Sequence, residues 1–353
     1  MAETAAFAQL GGGAQHSGFN LGETGAPPLT AAWVATLGSA AGTPAVIEGG
    51  RAFALSGSFL HALELANGAE IWTYNFGSVL GGISWPSAAD SGVYVATSNN
   101  SGDTWFRRIN RAAGTVAFKV AFGSQWDRYW SPLLVGGAAY LDGGSYGGLY
   151  GFDVVNAGAQ LFFDGELEQY DSWSPAFFGG NIYTFVAGKL RKHAVADGKV
   201  QATADVGWTW QGWSMNTAPV FGDTYGYVIS PPNLFAIDPA TMKQAWTVNG
   251  GYTRFASVAN GVVYALTGGN LRALDATTGA TRWTFAGDGG LAYPAVIANG
   301  HVYVSSGSNV YAVNAATHAQ EWTAPVGGWL AIGEGILLVS TPAGALAAFR
   351  LAH

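Results

Sequence analysis

The chain contains no cysteine. Disulfides, thiolate metal sites and cysteine nucleophiles are therefore excluded. Charge is also scarce. Only 10% of the 353 residues are charged, and 15 basic residues against 22 acidic ones leave a formal net charge of -7. Nucleic-acid binding needs clustered Lys and Arg. The small groups Arg107-Arg108-Arg111 and Lys189-Arg191-Lys192 read instead as solvated strand surface, so no nucleic-acid partner is expected. No run of about 18 apolar residues escapes interruption by Gly or polar side chains, which argues against a membrane span. None of the six histidines has a partner at metal-ligand spacing. There is no Gly-x-Ser-x-Gly elbow, P-loop or dinucleotide fingerprint. No metal and no cofactor is expected. The start "MAETAAFAQL" lacks a basic and apolar leader. The protein is either cytoplasmic or, the reading carried forward, periplasmic or secreted with its signal peptide removed and replaced by Met1.

What the chain does have is hydrophobic residues (49%), 52 glycines and 14 tryptophans. That composition belongs to a packed globular protein built from strands and tight turns. Internal repetition decides the architecture. "ALELANGAEIW" (Ala62 to Trp72), "AIDPATMKQAW" (Ala236 to Trp246), "ALDATTGATRW" (Ala273 to Trp283) and "AVNAATHAQEW" (Ala312 to Trp322) share an alternating strand, a turn and an aromatic four residues past the turn position. Weaker copies place Phe118 after Gly114, Phe162 after Gly158 and Ala202 after Gly198. The spacing is roughly 40 residues, the length of a propeller blade. Seven blade openings fall near Thr43, Ser84, Ser131, Ser174, Thr217, Ala256 and Tyr293. An eighth, at Leu330, supplies only three strands. "LTAAWVATLG" offers the fourth, with Trp33 in the aromatic position. The expected fold is all-β: an eight-bladed β-propeller of four-stranded antiparallel blades, the last closed by an N-terminal strand that removes the open sheet edges. Residues 1–28 form a lead-in segment packed on a single propeller domain of residues 29–353.

The pattern Ala-x-Asp-x-x-Thr-Gly-x-x-x-Trp, intact at Ala273, Asp275, Thr278, Gly279 and Trp283, resembles the PQQ-like repeat family. That family includes the quinoprotein alcohol dehydrogenases and the BamB-like outer-membrane assembly factors. The lead-in "GGGAQHSGFN" is similar to the Gly-x-x-x-His-x-Gly segment common in such chains. The resemblance implies the fold far more than the function, because one scaffold carries many activities.

The repeat also separates packing residues from the rest. Trp33, Trp72, Trp246, Trp283 and Trp322 hold the repeat position and are expected to pack between blades. Nine tryptophans are left over, and eight of them lie in or beside the links between blades. Trp85, Trp130 and Trp173 stand just before a proline and should crowd the central axis. Three links between blades two and five are the richest: "GSQWDRYWSP", "DGELEQYDSWSP" and "GWTWQGWSMNTAP"; "GGYTRFAS" follows. The links "LGSAAGTPA", "GDGGLAYPA" and "VGGWLAIG" are plain by comparison. A one-sided aromatic cluster marks a binding surface, the competing reading being a plugged channel mouth.

The candidate ligand-binding residues are Trp126, Arg128, Trp130, Tyr170, Trp173, Trp208, Trp210, Trp213, Asn216, Tyr252 and Arg254. Aromatic rings beside carboxylates, amides and arginine suit a sugar or another small polar ligand. The expected function is therefore a carbohydrate-binding or carbohydrate-cleaving propeller. Two catalytic schemes stay open. A glycosidase would use a carboxylate pair drawn from Asp127, Glu168 and Asp171. A polysaccharide lyase would use an arginine to neutralise a uronate, with Tyr129, Tyr170 or Tyr252 moving the proton. The acidic run Asp164, Glu166, Glu168 and Asp171 reads as a solvated link, not a calcium loop. The alternative is a BamB-like scaffold with a protein partner, since Trp, Tyr and Arg also make protein hot spots. A quinoprotein dehydrogenase ranks third.

Overall fold

The structure is a computed structural model and describes residues 6–38, 43–78, 81–98, 104–124, 130–144, 147–165 and 167–353. Eight four-stranded antiparallel blades form a propeller. Blade 1 comprises Val46–Ile47, Arg51–Ser56, Phe59–Glu64 and Glu70–Asn75, from the axis outward. Blades 2 to 7 repeat that order over 87–122, 133–164, 176–205, 220–249, 252–285 and 291–324. In blade 8 the order is Trp329–Gly333, Ile336–Ser340, Ala345–Ala352 and, outermost, the N-terminal strand Ala26–Thr36. That strand pairs antiparallel with Ala345–Ala352 and closes the ring.

The repeat aromatic works between blades. Trp33, on the outer strand of blade 8, donates its indole N–H to Leu65 O of blade 1 at 2.8 Å. Its ring lies against Gly68, whose φ is +73°; a Cβ there would come within 2.5 Å of the indole. Glycine is required on both counts, since an L side chain would meet the ring and strain the backbone. The contact recurs around the ring: Trp72 on Gly114, Phe118 on Gly158, Phe162 on Gly198 and Trp246 on Gly279. Three contacts differ. Between blades 7 and 8 Trp322 donates its indole N–H to Leu29 O at 2.9 Å and meets Phe349 edge to face. Trp283 meets His318 instead of glycine, and the rings stack at 5.0 Å. Blade 4 has only Ala202 at the aromatic position, and blade 5 has Met242 at the turn, buried in the same apolar cluster as Ala202 and Ala204. The thioether occupies the space that an aromatic fills elsewhere.

The lead-in segment has its own order. Phe7 exchanges two backbone hydrogen bonds with Ile47 of blade 1. Ala8 O then accepts from Ala88 N of blade 2, and Gln9 Oε1 accepts from Leu134 N of blade 3. Ala14 O, Gln15 O, Ser17 O and Gly18 O accept from Phe177, Phe221, Val258 and Ile297 of blades 4 to 7. Asn20 Nδ2 donates to Ile332 O of blade 8 at 2.7 Å. Fourteen residues, 7–20, thus visit all eight innermost strands in turn. They bond to the free edges of those strands, beside the turns into the second strands. The belt therefore sits inside the channel, at the end opposite the links between blades.

Candidate functional site

At the link end, the axis is filled by aromatic side chains. Trp85 stacks on Trp130 at 4.5 Å and meets Trp329 at 5.1 Å. Phe255 closes the set, 5.7 Å from Trp130 and 6.4 Å from Trp329. Leu10 of the belt belongs to the same apolar cluster. Proline explains part of this arrangement. The link must become extended before Pro86 and Pro132, which aims the preceding residues inward. Ser131 and Ser174, each beside such a tryptophan, serve the framework. Ser131 Oγ shares a hydrogen bond with Ser87 Oγ, and Ser174 Oγ donates to Ser131 O. Trp173 lies in the wall, 1% exposed, with its indole N–H on Tyr170 O.

Beside this axial cluster is a cleft of about 580 Å³. Trp208, Gln211 and Asn216 line it from the link between blades 4 and 5, Thr253 and Arg254 from the start of the innermost strand of blade 6, and Leu291 from the start of that of blade 7. The strand Ser214–Thr217 pairs in parallel with Asp171–Trp173 of the preceding link, which ties the two links together. Asp171 N donates to Trp213 O within that arrangement. Thr217 Oγ1 donates to Arg254 O at 3.0 Å, joining the innermost strand of blade 6.

Two residues lining the cleft, Asn216 and Arg254, have left-handed backbone, with φ of 50° and 64°. Asparagine tolerates that conformation. For arginine it costs roughly 1–2 kcal/mol. The Arg254 guanidinium lies over Trp329 at 5.2 Å and Tyr293 at 5.7 Å. Burial pushes it below the usual arginine range, against a smaller opposing effect of Tyr293. Trp329 and Tyr293 come from links that look plain in the sequence. Each link holds a single aromatic residue, and only the ring geometry brings both to one arginine.

Outside the cleft the aromatic rim is exposed. Trp210 and Trp213 are 62% and 67% exposed and sit 6.3 Å apart, edge to face. Tyr170 lies 6.1 Å from both Trp208 and Trp213. The structure thus brings Tyr170, Trp208, Trp210, Trp213, Asn216 and Arg254 together. It sets Trp130 and Trp173 among the buried side chains. Tyr252 is fully buried and accepts a hydrogen bond from Arg272 on its Oη. Glu168 accepts from Lys189 and Arg191 at 2.8 and 2.7 Å. Burial, the largest single effect, would raise its carboxyl, but the hydrogen bonds from Arg191 and Lys189, a backbone hydrogen bond and the Arg191 charge together hold the group below the usual range. Trp126, Asp127, Arg128, Tyr129 and Glu166 lie outside the described residues. Trp105, the leftover tryptophan away from the links, carries Lys119 Nζ over its ring at 3.8 Å.

The repeat geometry and eight blades agree with what the chain is similar to. The family described as outer membrane protein assembly factor BamB matches residues 186–292 and 267–352. BamB from Moraxella catarrhalis superposes with a TM-score of 0.72 at 17% identity, covering 92% of this chain and 100% of that one. The chain is a PQQ-like-repeat β-propeller. Quinohemoprotein alcohol dehydrogenase from Comamonas testosteroni superposes with a TM-score of 0.75 at 12% identity, covering 98% and 80%. The computationally designed Ika8 protein gives 0.74 at 10% identity, covering 91% and 100%. At these identities the likeness is one of fold. Among the curated proteins none matches the chain.

These findings correct the carbohydrate expectation. The matching family is described as an assembly factor, and nothing in the comparisons points to a carbohydrate-active or carbohydrate-binding PQQ-like-repeat propeller. The geometry gives the physical reason. Of the proposed acids, Glu168 is neutralised by two cations, and Tyr252, one of the proposed proton carriers, is sealed in the core. A quinone cofactor does not fit this propeller either. The axis is filled by Trp85, Trp130, Phe255 and Trp329, and among the described residues no group of three or more acids or imidazoles converges on a cation site. No helix of the described chain is long and apolar enough to cross a membrane.

Proposed function

We propose that this PQQ-like-repeat propeller is a protein-docking scaffold that works outside the cytoplasm, as a periplasmic protein. Its docking surface is the link face around the cleft, with Trp210, Trp213, Tyr170 and Trp208 as anchors and Asn216 and Arg254 as polar contacts. The observation that carries this reading is that Trp210 and Trp213, the two tryptophans among the exposed large hydrophobic side chains of the described residues, stand 6.3 Å apart beside the cleft. Large indoles left in water beside an arginine are what a hot spot contains. The belt and the axial cluster fill the channel, so the face works as a surface and not as a pore. The likeness to an outer membrane protein assembly factor supports a protein partner and an envelope location.

The test is site-specific photocrosslinking from positions 210 and 213 in the envelope of the source organism, with position 195, in the turn between the third and fourth strands of blade 4, as control. One protein should crosslink reproducibly from both rim positions and not from the control. After purification it should bind the full chain, and Trp213→Ala should weaken that binding by about 30-fold or more. Crosslinks no different from the control, or a purified partner indifferent to Trp210→Ala and Trp213→Ala together, would overturn the proposal.

A further inference from the structure

Every other described arginine donates at least one side-chain hydrogen bond, for example Arg111 to Glu48, Arg191 to Glu168 and Arg282 to Asp275. Among the described residues Arg254 has no hydrogen-bond acceptor, and no carboxylate acts on it. It is also the arginine that lines the cleft, and it does so from a strained backbone. Tyr293 and Trp329 meet edge to face at 5.4 Å, so the guanidinium borders both rings without facing both, and the N–H groups that the rings do not engage can form a fork. That fork matches a carboxylate in shape and charge. One cation in an acidic protein suits a monoanion better than a phosphate, which would be met by several. The cleft has the size of a small-ligand pocket. The exposed Trp210 and Trp213 extend the apolar surface beyond it, further than a small carboxylate would reach.

We propose that the cleft receives an acidic side chain or terminal carboxylate from an extended segment of a protein partner, held by the fork of Arg254, with a neighbouring apolar or aromatic residue of that segment on Trp210 and Trp213. This rests on the docking reading and names the chemistry of its partner. The amides of Gln211 and Asn216, both exposed on the lining, are placed to meet the backbone of such a segment.

The probe is an array of synthetic hexapeptides, each with one Asp, Glu or free C-terminal carboxylate beside one Phe, Tyr or Trp, matched to Asn, Gln or C-terminal amide controls. The full chain should bind acidic members and not their controls. In solution, converting the acid of the best peptide to its amide should weaken binding by about tenfold or more. Arg254→Gln should cause a similar loss with the acidic peptide and no further loss with its amide, since one interaction is removed from either side. Arg254→Lys should recover part of it. Unchanged near-UV circular dichroism of each variant confirms that the Tyr293–Arg254–Trp329 stack has not collapsed the fold. Equal binding of acids and controls by the wild-type chain, or no binding by either, overturns the inference without need of any variant. A crosslinked partner that binds Arg254→Gln undiminished but fails on Trp213→Ala would remove the carboxylate and leave the scaffold standing. Absence of any specific crosslink would remove the scaffold itself.

Discussion

Gln9 and Leu134 make a two-way contact: Gln9 Nε2 donates to Leu134 O at 3.1 Å, and Leu134 N donates to Gln9 Oε1 at 2.7 Å. The side-chain amide stands in for the backbone. It lets the belt reach blade 3 while the main chain turns through Leu10–Gly12 toward blade 4. Gln9→Ala should cost about 1–3 kcal/mol, because an inner-strand N–H and C=O both lose their partners. Gln9→Glu keeps only the acceptor and should be destabilised as well. Urea unfolding of the three proteins checks the order.

Ring closure depends on Trp33 and Gly68 as a pair. Trp33→Ala removes a large side chain and an inter-blade hydrogen bond, and should cost about 3–5 kcal/mol. Gly68→Ala places a methyl group against the indole on a left-handed backbone, and should cost about 2–4 kcal/mol. Thermal unfolding should show both losses, and the double variant should lose less than their sum.

The Ala202 and Met242 exchange predicts a rescue. Ala202→Trp alone overfills the interface and Met242→Gly alone leaves a void, each lowering the melting temperature. Together they restore the glycine-aromatic contact of the other blades, and the double variant should melt above either single one. A double variant that melts lowest would refute the complementarity.

His16 gives a pH dependence of known sign. Burial lowers its pKa from 6.5 to about 4, outweighing the opposing hydrogen bond to Pro219 O. The folded protein keeps the ring neutral while the unfolded chain takes up a proton. Stability should therefore fall as pH drops from about 6.5 to 4, by about 3 kcal/mol. His16→Asn keeps a donor and tolerates the φ of 55° at this position. It should flatten the profile of unfolding free energy against pH. The slope should lessen and not vanish, since burial shifts His193 in the same direction.

The leftover tryptophans should separate by stability. Trp210→Ala and Trp213→Ala remove exposed rings and should change unfolding free energy by about 0.5 kcal/mol or less. Trp85→Ala and Trp130→Ala open the axial cluster and should cost about 3–5 kcal/mol. Chemical denaturation distinguishes the two groups directly.

The sequence alone determined the propeller. Its four-strand unit, the blade number and the closure by the strand around Trp33 follow from a local pattern of alternating strand, turn and aromatic that recurs along the chain, with blade 4 the degenerate copy at Ala202. The same repetition separated Trp246 and Trp283, which any blade needs, from Trp210 and Trp213, which none does. Trp85 and Trp130 were legible as axial, but Trp173, which has the same proline after it and was expected there too, packs instead with Leu167 and Met215, so the proline alone does not fix the direction. What only the tertiary structure decided is how side chains from different blades meet. Tyr293 and Trp329 lie in plain links, 39 and 75 residues beyond Arg254 in the chain, yet the ring brings both against its guanidinium. Glu168 looks like a free acid until strand pairing sets Lys189 and Arg191 beside it. The sequence marks a lead-in segment, but its course across the eight inner strands is not legible there, because it is held mostly by backbone hydrogen bonds, which carry no residue signature. Local periodicity fixes strands and their order. Partners across the axis are fixed only when the circle closes.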